Sequence, residues 1–328
     1  MQVSETVGIL LMAYGSPDSL DQMEPYLLDV REGRPPPQEL VAEIRRRYAG
    51  IGGRSPLLDW TKAQASAVAD LLNREHASHG LNFKAYVGMR HWEPRIGQAV
   101  ESMAADGIRR AIALVMAPHS SRMSVGKYFE HLEKSIEEKG ADIQFARIEH
   151  WHDHPGLIAA ITEKYFEART RFAATSDPYV LFTAHSLPAR ILEVGDPYDA
   201  QLRETSRLLA NRLELQDGRW QFCYQSAGAS AVPWLGPQIE TVIAELAQNG
   251  EEEILVVPIG FVCDHVEVLY DIDIGCQQIA QSHGVHLERS PSLNTSATFI
   301  RALADLVLEA MPGLDPAQQS RPDHARGG

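Results

Sequence analysis

The chain is short of cysteine, of positive charge and of long apolar runs, and each shortage closes off a class of protein. Cys223, Cys263 and Cys276 are the three cysteines in 328 residues, odd in number and without CxxC spacing. Neither an intrachain disulfide framework nor a four-thiolate metal site can be built from them, and a reducing cytoplasm is the expected setting. Thirty Lys and Arg stand against 44 Asp and Glu, a formal net charge of −14. That is the wrong sign for neutralising a phosphate backbone over a broad face, so no nucleic-acid partner is expected. Any anionic ligand must find a local basic patch. The longest apolar runs, such as 7–14 (VGILLMAY), fall far short of the roughly 20 residues of a membrane helix. The opening Met-Gln-Val-Ser-Glu-Thr lacks the basic segment of a secretory leader, so neither a leader nor an integral membrane segment is expected. With 44% hydrophobic and 23% charged residues, what is there is an ordinary globular composition, long enough for two domains.

Eight short runs rich in Val, Ile, Leu and aromatics, at 7–14, 84–90, 110–117, 143–149, 178–184, 219–225, 253–259 and 285–289, predict strands. Between them, apolar residues recur at helical spacing, for example over 56–76, 93–105, 156–171, 199–213, 236–248 and 265–281. The alternation predicts an α/β fold with two four-stranded parallel sheets covered by helices. The first and fifth strand ends share the pattern A-x-x-x-P, in Ala13-Tyr14-Gly15-Ser16-Pro17 and Ala184-His185-Ser186-Leu187-Pro188, which suggests two copies of one unit facing each other across a cleft. The expected division is residues 1–149, with an insertion at about 18–50, then 150–293, a C-terminal helix 294–312 returning to the first half, and a tail 313–328.

In open α/β sheets ligands sit beyond the carboxyl ends of the strands, so the residues there are the candidates. The segment 31–54 holds Arg31, Arg34, Arg45, Arg46, Arg47 and Arg54 against Glu32, Glu39 and Glu43, net +3 inside an acidic chain. A solvated helix face accounts for Arg45 to Arg47 taken singly; the cluster as a whole suits an anion. Gly52-Gly53-Arg54-Ser55-Pro56 then places glycines, an N-cap serine and an N1 proline before a helix, with backbone N–H groups expected to be free for a carboxylate or phosphate. His185, at a strand's carboxyl end, is a competent base near neutral pH, although a lone histidine is more often a structural hydrogen-bonder. In the run 258–273, Asp264 suits a helix cap. Glu267 and Asp271 are i,i+4 neighbours forming a carboxylate row, and His265 is expected to point elsewhere. His150, His152 and His154 alternate at strand spacing and could ligate zinc. Pro155 follows at once, however, and the segment reads as an exposed linker. His91 and His119 also follow strands, as cleft residues or as satisfied turn histidines.

Four segments together resemble the ferrochelatase family, most closely its bacterial coproporphyrin branch, to about residue 312. They are 11–17 (LMAYGSP), 52–57 (GGRSPL), 184–188 (AHSLP) continuing to 195–198 (GDPY), and 260–271 (GFVCDHVEVLYD), with 234–237 (WLGP) as a fifth. The resemblance implies two Rossmann-like halves around a porphyrin cleft, and insertion of ferrous iron into coproporphyrin III to give coproheme in haem biosynthesis. It implies His185 and Glu267 as the metal-handling and proton-accepting pair, with Asp271 continuing the path outward. It further implies Tyr14 as an oxygen ligand to product iron, and Arg31, Arg47, Ser55 and Tyr128 as receivers of propionates. Gly275 stands where relatives place another acid, so an outer metal site on that helix is not expected. Nor is the iron–sulfur cluster that some relatives hold on four cysteines; no cofactor is expected beyond substrate Fe2+. A downstream coproheme decarboxylase is the implied recipient of product. The alternatives are a protoporphyrin enzyme, a cobalt chelatase acting on sirohydrochlorin, and a tetrapyrrole carrier or two-lobed binding protein without turnover. The His185 and Glu267 pair, which simple binding does not require, speaks against the last group.

Overall fold

The computed structural model describes residues 5–76, 80–228 and 232–314. Its first sheet contains β1 (Glu5–Ala13), β2 (Leu81–Met89), β3 (Arg110–Val115) and β4 (Gln144–Ile148) in the order β2-β1-β3-β4. The second contains β5 (Tyr179–His185), β6 (Trp220–Gln225), β7 (Glu253–Pro258) and β8 (His286–Arg289) in the order β6-β5-β7-β8. All pairings within both sheets are parallel. Sheets buried on both faces need strands that are apolar throughout, which is why the runs were readable. Val7 and Ile9 to Met12 are fully buried in β1, as are Leu181 and Phe182 in β5.

The two sheets share one topology, each with its first strand flanked by its second and third. The chain reverses direction of travel at β1 and at β5, and those strand ends open the crevice where ligands bind in such sheets. The helices are α1 (Met23–Val30), α2 (Gln38–Gly50), α3 (Leu57–His76), α4 (Ile96–Ala105), α5 (Val125–Lys139), α6 (Pro155–Arg169), α7 (Tyr198–Arg212), α8 (Ile239–Gln248), α9 (Val266–Leu269), α10 (Gln277–Ser282) and α11 (Ala297–Ala310). Six correspond to predicted helices, while α5 has no counterpart among them. The predicted helix 265–281 is broken. Between α9 and α10, residues Asp271–Cys276 form a π turn, in which the Gly275 N–H reaches back five residues to the Tyr270 carbonyl at 2.8 Å.

A large core runs through both halves. α11 packs on α3 and on α6, and Phe299 stacks on Trp151 at 6.1 Å between ring centroids. α1 and α2 have a separate small core of Met23, Tyr26, Leu27, Val41 and Tyr48, against which Trp92 and Val266 pack. Residues 313 and 314, expected in the tail, belong to a 3-10 turn, Met311–Leu314, with Leu314 buried; the rest of the expected tail, 315–328, lies outside the described residues. Among the described residues no helix is long and apolar enough to cross a membrane.

Close approach of β7's exit to β5 depends on Gly260. A Cβ there would lie 2.6 Å from the Ala184 Cβ and 3.0 Å from its Cα. Gly260→Ala is therefore expected to destabilise the fold by about 1–3 kcal/mol through overpacking. Gly97→Ala, in the first turn of α4 and facing Ser135 Oγ at 3.3 Å and its Cβ at 3.8 Å, should be close to neutral, with at most a small gain from helix propensity. Urea unfolding of the two variants checks the contrast; equal midpoints would disprove it.

Candidate active site

A cleft of about 540 Å³ opens at the carboxyl ends of β1 and β5. Tyr14, the residue after β1, and His185, the last of β5, both line it, together with Ser55, Tyr128 and Glu267. Arg31, Arg47 and Asp271 do not.

His185 is fixed by its surroundings. Its carbonyl accepts a hydrogen bond from the Tyr198 hydroxyl at 2.9 Å, and its ring Nδ1 meets the Ser186 carbonyl. A carbonyl can only accept, so Nδ1 carries the proton, and Nε2 is the nitrogen free to take one up. That Nε2 lies 3.4 Å from Glu267 Oε1. The other carboxylate oxygen, Oε2, is 3.5 Å from His265 Nε2, whose Nδ1 is in turn held by the Cys263 carbonyl at 3.0 Å. Gln225 completes the support: its amide donates to the Glu267 carbonyl at 2.8 Å and accepts from Thr183 Oγ1 at 2.7 Å. Desolvation, the largest influence on Glu267, pushes its carboxyl up, but His185, His265 and Arg47 together bring it down to about 2. It is ionised at any physiological pH.

His265 thus faces Glu267, where helical spacing predicted that it would point elsewhere. It is the N-cap of α9, with an extended backbone at φ −161° and ψ −179°, so the helical wheel does not yet apply to it. Asp264, the expected cap, is engaged differently, accepting from Ser292 Oγ at 2.7 Å and Asn294 Nδ2 at 2.9 Å.

Asp271 is held by Arg47 at 3.3 Å and by the Ser226 hydroxyl, while burial pushes its carboxyl up. Arg47 also pairs with Glu43. Arg31 caps α1 and donates to the Arg34 carbonyl at 3.3 Å. The guanidinium groups on the cleft wall are instead those of Arg34 and Arg90. Arg90 lies over the buried Tyr128 ring, Cζ to centroid 5.8 Å, and its buried Nε has no hydrogen-bond partner. Spacing gave no signal for it beyond its place after a strand. The expected free amides at Gly52 and Gly53 are not free, because both bond back to α2, to the carbonyls of Ala49 and Tyr48, and close that helix.

Tyr14 is 40% exposed, yet what it faces is the cleft. Desolvation first, and then the Glu267 charge, raise its phenol to about 12, so it stays protonated. Its ring lies 4.6 Å from that of His91, whose Nδ1 is 2.9 Å from Asp29 Oδ2. Of the two other strand-end histidines, His91 is thus a cleft residue and a satisfied one, and so is His119, bonded to Thr205 Oγ1 at 2.9 Å. The segment read as an exposed linker is anchored: Trp151 and His152 are 2% and 5% exposed.

With this geometry in place, comparison with known proteins decides the family. A family model described as ferrochelatase matches residues 6–311. The chain belongs to the ferrochelatase family. A ferrochelatase of Deinococcus radiodurans is 44% identical over 303 residues, covering 92% of this chain and 95% of the relative. A coproporphyrin III ferrochelatase of Geobacillus thermodenitrificans is 38% identical over 311 residues, covering 94% and 96%. In fold the chain is similar to SirB from Bacillus subtilis with Fe3+, with a TM-score of 0.58 at 11% identity, over 96% of this chain and 98% of the other. The family assignment makes the chain an enzyme, a chelatase that inserts metal into porphyrin.

Burial and then the Arg90 charge depress the His91 imidazole to about 4, against the opposing pull of Asp29. Between pH about 6.5 and about 4 the unfolded chain binds a proton here that the folded ferrochelatase refuses, so stability is present above that window and lost as pH falls through it. The midpoint temperature should fall on acidification across this range, and His91→Gln should flatten the slope. A variant as acid-sensitive as wild type would refute this assignment.

Proposed function

We propose that the chain inserts ferrous iron into coproporphyrin III, giving coproheme, with His185 accepting pyrrole protons. The observation that carries this reading is the orientation of His185: Nδ1 is committed to a carbonyl and Nε2 turned toward an ionised carboxylate. Two N–H protons must leave the macrocycle as the metal enters. Nε2 takes up a proton, and the imidazolium so formed lies 3.4 Å from the Glu267 charge that stabilises it. Glu267, at about 2, is too acidic to store protons at neutral pH. Its part is electrostatic, attracting Fe2+ and the imidazolium, while Asp271, shifted upward, is the better onward acceptor. Tyr14 stays a phenol and contacts product iron through its oxygen.

Four propionates distinguish coproporphyrin from the two of protoporphyrin. The support for four is the basic character of the cleft wall and mouth, with Arg34 and Arg90 lining it, the orphaned Arg90 Nε, buried Ser55 and Tyr128, and Arg31 and Arg47 nearby. Relatives named coproporphyrin III ferrochelatase agree, though the Deinococcus relative carries the plainer name. No resident cofactor enters this reading, since ferrous iron is a substrate; three buried cysteines with no CxxC spacing favour neither an iron–sulfur cluster nor disulfides. We further assign the enzyme to the cytoplasm, handing coproheme transiently to a decarboxylase of its propionates.

Two measurements test the proposal. His185→Ala and Glu267→Gln should each lower anaerobic turnover by about 100-fold to 10,000-fold with porphyrin binding retained. The double variant should lose less than the product of the single losses. Activity within a few fold of wild type would remove His185 from the chemistry. Separately, wild-type kcat/KM should be higher for a tetrapropionate than for a dipropionate porphyrin, and Arg31→Ala should narrow the difference. A preference for the dipropionate would reassign the substrate to protoporphyrin without touching the proton chemistry.

A further inference from the structure

We propose that His150, His152 and Asp153 form a binding site for a divalent transition-metal ion of the zinc and cobalt class, outside the porphyrin cleft. One ligand atom from each lies within 4.8 Å of the others, and none of the three residues lines the cleft. A tetrahedral ion with bonds of about 2.0–2.1 Å needs ligand atoms roughly 3.4 Å apart. The exposed His150 and Asp153 side chains can close that gap by rotation.

The independent mark of a site is His152. It is buried, and its Nδ1 has no hydrogen-bond partner, while its Nε2 lies 3.1 Å from Glu204 Oε2. A buried polar atom without a partner is costly and uncommon. The Glu204 carboxylate places the ring proton on Nε2 and leaves Nδ1 as the unprotonated nitrogen available to an ion, the relation an outer carboxylate has to a metal-bound histidine. The backbone is rigid where it must be. Between the two histidines Trp151 is locked inward, its indole donating to the Val115 carbonyl at 3.2 Å and its amide to the Pro118 carbonyl at 3.0 Å. The Thr205 hydroxyl donates to the His152 carbonyl at 2.9 Å. His154 takes no part, since it caps α6 by accepting from the Gly156 N–H at 3.2 Å. Two imidazoles and one carboxylate match a borderline ion and leave one position for water. Such an ion would staple the segment that leads from the first sheet into α6.

The test is zinc equilibrium dialysis of the metal-stripped full-length chain without porphyrin, in a His185→Ala, Glu267→Gln background that removes the cleft ligands. One equivalent should remain bound. His150→Ala and Asp153→Asn should each weaken it at least tenfold, and Glu204→Gln by about 10–100-fold, while His154→Ala leaves it unchanged. Both substituted ligands are exposed, so the fold is expected to survive; circular dichroism checks this. No bound zinc in the background, or zinc affinity indifferent to His150→Ala and Asp153→Asn, would overturn the site. Neither result bears on porphyrin metallation.

Discussion

A single half-buried carboxylate sets the terms for the cleft. Glu267 is removed from much of its water, a state that ordinarily drives an acid to take up a proton. Two imidazoles, at 3.4 and 3.5 Å, prevent it. Because neither is a permanent cation, the charge is not cancelled as an arginine at contact would cancel it, and a negative potential survives at the cleft floor. The phenols around it register that potential: Tyr14, Tyr48 and Tyr198 are all held protonated by burial first and by Glu267 next. Positive charge lines the same cleft, in Arg34 and Arg90, so one cavity offers an anion for a metal cation and cations for carboxylates.

Keeping that carboxylate in place requires backbone that departs from regular helix. His265 reaches it only because it is still extended, and Glu267 belongs to a helix of four residues that gives way to the π turn. Short π segments inside helices mark functional sites elsewhere, and here the wider turn re-aims the residues after Tyr270. Asp271 faces Arg47 and Ser226 and does not line the cleft itself, while still feeling the charges of Glu267 and His185.

The same contrast explains what the sequence made legible. Parallel strands buried on both faces must be apolar along their length, so all eight were visible with ends within a few residues. The residues at the ends of β1 and β5 were visible because topology dictates where ligands bind. What could not be read was the state of groups whose partners come from distant segments. Gly52 and Gly53 looked like free amides but terminate α2, Asp264 looked like a cap but ties down the loop at 292–294, and Arg90 carried no distinguishing spacing. His152 looked exposed in an alternating polar run, yet Trp151 beside it pulls the segment into the core.

The halves are joined by apolar, hydrogen-bonded and ionic contacts, His119 to Thr205 and Ser121 to Asp196 among the hydrogen bonds. Behind the cleft, α11 lays Phe299 on Trp151 and packs against α3 and α6, an apolar seam. At the other end Arg47 reaches from α2 to Asp271, an ionic clasp between the inserted helices and the π turn. Dissolved salt screens a clasp of opposite charges over about 8–10 Å, whereas excluded salts such as sulfate strengthen apolar burial. With Asp271 only 10% exposed, the clasp is screened less than a surface pair would be, so excluded salts act on this junction mainly through the seam behind the cleft, which they tighten.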